Sequence, residues 1–313
     1  MGTPDFAVAS LDLLVKNKFN IVGVVTAPDK PAGRGQQLSQ SAVKIYALKH
    51  QLNLLQPDNL KADDFIAELA ALEADLQLVV AFRMLPEKVW NMPPEGTYNL
   101  HASLLPKYRG AAPINWAIIN GETESGVTTF KLKHQIDTGN ILFNEKVQIK
   151  DTDTAGDLHA SLMETGAKLL LKTVFAIEAK HSGTGRLKFV TQVDDGAPHA
   201  PKIFKETCAI NWQMPTSVIY NQIRGLSPYP AAFTQIKNEE GSLKSIKIFY
   251  AEMLPSADIN SIGAVISDNK TYLDVCCIDG KLRLLDIQLE GKKRMPVVEF
   301  LKGYKVGDKM QII

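Results

Sequence analysis

Two short runs, NIVGVVTAP (residues 20–28) and DLQLVVAF (75–82), are apolar at nearly every position and rich in β-branched residues. A strand that is apolar on both faces must be covered on both, which places such runs inside a parallel sheet flanked by helices. Helical stretches are interleaved with them: SAVKIYALKHQ with Ser41 as cap, KADDFIAELAALEA, APINWAIING stopped by Gly121, and a long helix over 154–180. TYNLHAS (97–103) reads as a strand, and GVTTFKLKHQ and NILFNEKVQIK as two more, joined by the turn sequence IDTG. This alternation predicts an α/β layer with a mostly parallel sheet.

The pattern changes after Gly183. A Gly-, Pro- and polar-rich stretch leads to one helix at PTSVIYNQIRGL, then to short strands at AAFTQIK, SIKIFYAEML, GAVISD, TYLDVCCID and KLRLLDIQLE, and a brief helix at PVVEFLKG. Short strands at such spacing predict a small OB-like β-barrel. The expected organisation is a first domain over 1–185, a linker over 186–205 and a second domain over 206–313. A length of 313 residues accommodates two domains. A net charge of +1 excludes any global argument for nucleic acid without excluding a local basic patch. Cys208, Cys276 and Cys277 form no C-x-x-C pair and no metal spacing. With no secretory segment and no bilayer-length apolar run, the expectation is a reduced, cytoplasmic protein without a metal.

The densest chemistry lies between residues 98 and 139. Asn99 and His101 are two apart on one strand and share a face, with Ser103 following on it. Two polar residues side by side in a buried strand satisfy each other or serve a ligand, and in open α/β sheets ligands bind beyond the carboxyl ends of strands. The loop SLLPKYRGAAP comes next, carrying apolar Leu104, Leu105 and Tyr108, and Gly110 permits a close backbone approach. Asp137 sits in QIDTGN, good turn chemistry in its own right. In one pocket with Asn99 and His101 it completes an acyl-transfer set: an amide donor, a proton-moving imidazole and a carboxylate that holds the imidazole.

Cations mark two further segments. PDKPAGRGQQL (28–38) offers Lys30 and Arg34 among glycines and prolines, either as a surface loop or as one that orders on a large anion. GKKRMP contributes Lys292, Lys293 and Arg294, a run weak by itself as evidence for nucleic acid. The G-x-G-x-x-G fingerprint is missing, against a nicotinamide dehydrogenase. A non-catalytic OB-type RNA-binding protein would have no need of Asn99, His101 and Asp137.

The chain resembles the methionyl-tRNA formyltransferase family nearly from end to end, in GTPDFA, PDKPAGRG, NLHASLLPKYRGAAPI, GVTTFKLKHQIDTGNIL, IRGLSPYPAAFT and LEGKKRMPVVEFLKG. The resemblance implies a Rossmann-like formyltransferase domain followed by an OB-like tRNA-binding domain. It also implies formyl transfer from 10-formyltetrahydrofolate to the amino group of methionyl initiator tRNA, by a monomer that needs no metal. Asn99, His101 and Asp137 fall on the catalytic positions. Ser103, Leu104, Leu105 and Pro106 fall on the folate-binding segment, with the pterin against Phe82, Arg83, Met84, Leu85, Ile136 and Gly139. Many relatives carry Tyr-Gly where this chain has Phe82-Arg83, so an inward Arg83 side chain would disturb that pocket. Arg34, with Lys30, falls on a loop that enters the tRNA acceptor end, and Lys292, Lys293 and Arg294 fall on the tRNA side of the second domain. Formyltransferases with sugar-nucleotide or glycinamide ribonucleotide acceptors share the catalytic set but not the PDKPAGRG loop.

The first residues, MGTPDFAVAS, read as a turn and a helix start, with Thr3 as cap, Pro4 at the first helical position and Asp5 against the dipole. The resemblance places a short apolar strand before this turn. The expectation is a sheet whose first strand is missing, leaving an empty slot and low stability.

Overall fold

The β-branched runs do form sheet, but only where they find neighbours. The computed structural model describes residues 1–32, 37–193, 196–237, 241–254, 261–307 and 311–312. It divides into two compact units, one of Met1–Gly110, Ser125–Gln148 and His159–His199, the other of Ala111–Glu124, Ile149–Leu158 and Ala200–Ile313.

The first unit opens with α1 (Asp5–Lys16) and β1 (Val24–Val25), followed by a hairpin of β2 (Lys30–Ala32) and β3 (Gln37–Ser39). α2 (Ala42–Lys49), β4 (Leu54–Leu55), α3 (Asp63–Ala70), β5 (Gln77–Val80), α4 (Glu87–Trp90) and β6 (Thr97–His101) come next. β1 pairs with β4 in parallel, and β5 with β6 in parallel. After the two-residue β7 (Arg109–Gly110) the chain passes through α5 (Pro113–Ile119), which belongs to the second unit; β8 (Glu124–Lys131) then lies antiparallel to β6, and β9 (Ile141–Gln148) completes the order β5-β6-β8-β9. The expected parallel sheet is therefore mixed. The long helix α6 (Ala155–His181) is capped as Thr154 and Asp157 exchange hydrogen bonds, the Thr154 N–H donating to the carboxylate at 2.9 Å and the Asp157 N–H to the hydroxyl at 3.2 Å. Apolar burial splits around the sheet. Tyr98 packs with Leu142 and Ile177 of α6, while Val25, Leu55, Phe65, Leu69, Val79 and Val89 form a second cluster.

The two parallel pairs do not join directly. Between them stand only Met1 and Gly2: the Gly2 N–H donates to the Val25 carbonyl (3.1 Å), and the Val80 N–H donates to the Met1 carbonyl (3.0 Å). Gly2 is required here, because a Cβ would lie 2.4 Å from the Ala7 Cβ and 2.9 Å from the Val80 oxygen. Beside this single rung lies a cavity of about 150 Å3 lined by Leu14, Val22, Val24, Leu69, Leu78 and Leu170. The run 20–28 forms strand at Val24–Val25. The Met1 nitrogen donates to the Leu78 carbonyl at 2.7 Å.

Two local expectations change. Helix α1 begins one residue later than its cap signal, with Pro4 extended as N-cap and no side-chain cap bond; Asp5 instead accepts the Phe6 N–H at 2.9 Å. The stretch expected as a loop, 28–38, holds the β2–β3 hairpin; Arg34 lies outside the described residues.

The second unit contains α5, a short β10 at its entry (His199–Ala200) and α7 (Thr216–Leu226), with the Asn115 amide donating to the Gly225 carbonyl at 2.8 Å. Around them curls a seven-stranded sheet with strands β11 (Ala232–Lys237), β12 (Leu243–Leu254), β13 (Val265–Ser267), β14 (Leu273–Cys276), β15 (Lys281–Leu289), β16 (Met295–Pro296) and β17 (Gln311–Ile312). Its pairings are antiparallel, as expected for an OB-like barrel. The Ile312 N–H reaches the Gly263 carbonyl (3.0 Å), bringing the β17 edge to within two residues of the start of β13. The core is aliphatic: Ile219, Ile223, Ile236, Ile246, Ile248 and Leu282 are all essentially buried, with helix α8 (Val297–Gly303) packed on it.

Candidate active site

Strand β6 turns Tyr98 and Leu100 to one face and Asn99 and His101 to the other, as the period of two requires. His101 is buried, and its Nε2 lies 2.8 Å from the carbonyl of Tyr108. A carbonyl only accepts, so Nε2 carries the proton and donates. The other ring nitrogen, Nδ1, lies 3.9 Å from the Asp137 carboxylate. That carboxylate accepts the Gly110 N–H at 3.0 Å. Asn99 is half-buried, and its carboxamide has no intramolecular hydrogen bond among the described residues. The structure thus brings His101 and Asp137 together beside the strand that carries Asn99. The Nδ1–carboxylate distance is too long for a direct hydrogen bond.

Two backbone positions hold this cluster under strain. Tyr108 and Asp137 have φ of 59° and 53°, the left-handed region that non-glycine residues rarely occupy. Each contacts His101 or faces it. Gly139 lies two residues beyond Asp137 in the loop, and a Cβ there would sit 1.8 Å from the Lys131 carbonyl oxygen.

The segment 103–106 is built as a support. The Ser103 hydroxyl donates to the Lys107 carbonyl (2.6 Å), so it does not continue the polar face of β6. The Thr128 hydroxyl donates to the Ser103 carbonyl (2.7 Å) and accepts the Leu105 N–H (3.2 Å). Leu105 is buried with Phe130 and Ile141, while Leu104 and Pro106 are half-buried. Among 82–85, Leu85 is buried and Met84 is exposed. Arg83 turns its guanidinium to the carbonyls of Asp58 (2.9 Å) and Pro57, and its Nε–H is buried without a partner. Its charge therefore answers a neighbouring loop.

A pocket of about 540 Å3 opens beside the loop that carries Asp137, with Trp90, Lys131, Leu132, Lys133, Thr138 and Phe189 among its lining. Ile136 and Gly139 belong to that same loop, although neither they nor residues 82–85 line the pocket. Trp90 stands edge-on to His134 at 5.4 Å between ring centres. Sequence reasoning missed Trp90, whose position at the end of a four-residue helix gives no periodic signal. It also missed the Tyr108 carbonyl, a main-chain contact that no side-chain pattern reports.

The cations expected at the tRNA side are spread over both units. Lys30 is exposed at the base of the β2–β3 hairpin. Beneath it Asp29 accepts from Lys44 (2.6 Å) and Gln56 (3.1 Å), and the Lys44 bond draws its carboxyl below the usual range. Lys292 and Lys293 are exposed. Arg294 makes two bonds to one Asp286 oxygen (2.9 and 2.8 Å) and lies 4.2 Å over the Phe249 ring, so it is partly neutralised. No group of three metal-ligating side chains occurs among the described residues.

The structure thus sets an Asn-x-His pair at the carboxyl end of a central strand, faced by a carboxylate from the adjoining hairpin, on an α/β scaffold. The family described as formyl transferase matches residues 1–174, and its C-terminal domain matches 202–305. The chain belongs to the formyl transferase family. It is 52% identical over 308 residues to the methionyl-tRNA formyltransferase of Bacteroides fragilis, covering 97% of this chain and 94% of that protein. With the methionyl-tRNA formyltransferase of Flavobacterium johnsoniae it shares 50% over 313 residues, all of this chain and 97% of that one. Among solved structures, an N-formyltransferase from Helicobacter canadensis, in complex with folinic acid and dTDP-3-aminofucose, superposes with a TM-score of 0.62. It is 22% identical and covers 94% of this chain and 97% of that one, a likeness of fold alone.

Proposed function

We propose that this protein transfers the formyl group of 10-formyltetrahydrofolate to the α-amino group of methionine carried by initiator tRNA. The observation that carries the acceptor is the identity of 50–52% to methionyl-tRNA formyltransferases along nearly the whole chain. The buried His101–Asp137 pair beside Asn99 supplies the chemistry.

The attacking amine must be neutral, and its lone pair forms the new N–C bond while the formyl C=O electrons move onto oxygen. Asn99 offers an N–H to that oxyanion, and so does His101 from Nδ1 when protonated, because Nε2–H is already committed to Tyr108. Asp137 stabilises the imidazolium across the 3.9 Å gap. When the intermediate collapses, the C–N10 bond breaks, and the proton lost by the amine reaches N10 through His101 and a bridging water. The pterin is placed against residues 82–85 and the turn at 136–139, and the 540 Å3 pocket beside that turn is assigned to the p-aminobenzoyl-glutamate tail, with Trp90 and Phe189 as flat apolar walls and Lys131 and Lys133 for its carboxylates. Lys30, Lys292 and Lys293 face the tRNA backbone.

Transfer of labelled formyl to methionyl initiator tRNA by the purified protein tests this. Release of free formate at the same rate without tRNA, or transfer only to an amino sugar nucleotide, would replace the acceptor assignment.

A further inference from the structure

We propose that Gln192 is a positioning residue of the transfer site, acting through Asp137. It lies in a Gly-, Pro- and polar-rich stretch with no periodic signal, which the sequence assigns to a linker. In the structure that stretch is fastened to the start of β9. Val190 and Ile141 exchange two backbone hydrogen bonds of 2.8 Å each. Two residues on, the Gln192 carboxamide reaches the catalytic loop. Its Nε2 donates to the carbonyl of Asp137 (2.9 Å) and to that of Gly139 (2.7 Å). Its Oε1 accepts from both Nε (3.0 Å) and Nη2 (2.8 Å) of buried Arg109. Both amide protons meet carbonyls and the oxygen meets a guanidinium, so only one orientation of the amide satisfies the site.

This one side chain ties together the two segments that build the cluster. Arg109 stands between Tyr108, whose carbonyl orients His101, and Gly110, whose N–H holds the Asp137 carboxylate. On the other side, the bonds to residues 137 and 139 hold Asp137 at its left-handed φ of 53°. Such a conformation persists only when its surroundings fix it. Without Gln192, Asp137 relaxes and its carboxylate leaves Nδ1 of His101.

The inference rests on the roles given above to His101 and Asp137. Its test is single-turnover formyl transfer, at saturating substrates, by full-length Gln192→Ala, Gln192→Glu, Asp137→Ala and the double variant Gln192→Ala/Asp137→Ala. Gln192→Glu keeps Arg109 paired, which preserves folding, but removes both donors. The expected result is a loss of roughly tenfold or more in rate for Gln192→Ala and for Gln192→Glu. On the Asp137→Ala background, Gln192→Ala should cost less than about twofold, because the group it positions is already gone. A rate near that of the parent for Gln192→Glu, or an equal loss in both backgrounds, would show that Gln192 only packs Arg109. Parental activity of Asp137→Ala would instead overturn the reading of the site itself.

Discussion

The Nε2 atom of His101 lies 2.8 Å from the carbonyl oxygen of Tyr108. That one bond fixes the tautomer and turns Nδ1 toward Asp137, 3.9 Å away. Tyr108 holds its carbonyl there from a left-handed backbone, at a cost of about 1 kcal/mol or more. The imidazole is oriented by main chain before any substrate arrives.

Substitutions of the cluster should therefore act on rate and not on folding. Asn99→Ala, His101→Ala and Asp137→Ala are each expected to lower kcat by roughly a hundredfold or more, the usual cost of losing an oxyanion donor or its support. Steady-state transfer assays alongside thermal melts check this. Turnover close to that of the parent in any one removes that residue from the set.

Trp90 provides a test of the folate-tail assignment. Trp90→Ala is expected to raise KM for 10-formyltetrahydrofolate up to roughly tenfold, on the scale of one lost aromatic contact, with kcat changed little. An unchanged KM would move the tail elsewhere.

Gly139→Ala probes the loop geometry. A Cβ placed 1.8 Å from the Lys131 carbonyl oxygen forces the loop to shift. A stability loss of about 1–3 kcal/mol is expected in denaturant titration, together with a fall in kcat.

Binding to tRNA should weaken as salt rises. Lys292→Ala with Lys293→Ala should reduce the slope of log K against log salt by about 2. Arg294→Ala should act mainly on stability, because its guanidinium is held by Asp286 and Phe249. Equal slopes in the double variant and the parent would clear those lysines of phosphate contact.

Periodicity made most of the elements legible. The cap at Ser41 is present, its hydroxyl accepting the Lys44 N–H at 3.0 Å, and the strands of the second unit fall where the short apolar runs lie. Asn99 and His101 were legible as a pair because two polar residues on one strand face are costly unless used. Neither the β2–β3 hairpin nor the antiparallel entry of β8 was legible, since both depend on a partner strand and not on local composition.

What the sequence determined by itself is the α/β order, the curled antiparallel sheet and the identity of the chemical groups, because side-chain period and residue type are local properties. What only the tertiary structure decided is which groups meet: that Nε2 of His101 is spent on Tyr108, that Arg83 turns to the carbonyls of residues 57 and 58, and that Gln192 closes over Asp137. Those are contacts between segments far apart in the chain. They are set by where buried donors and acceptors must find partners once the sheet has formed.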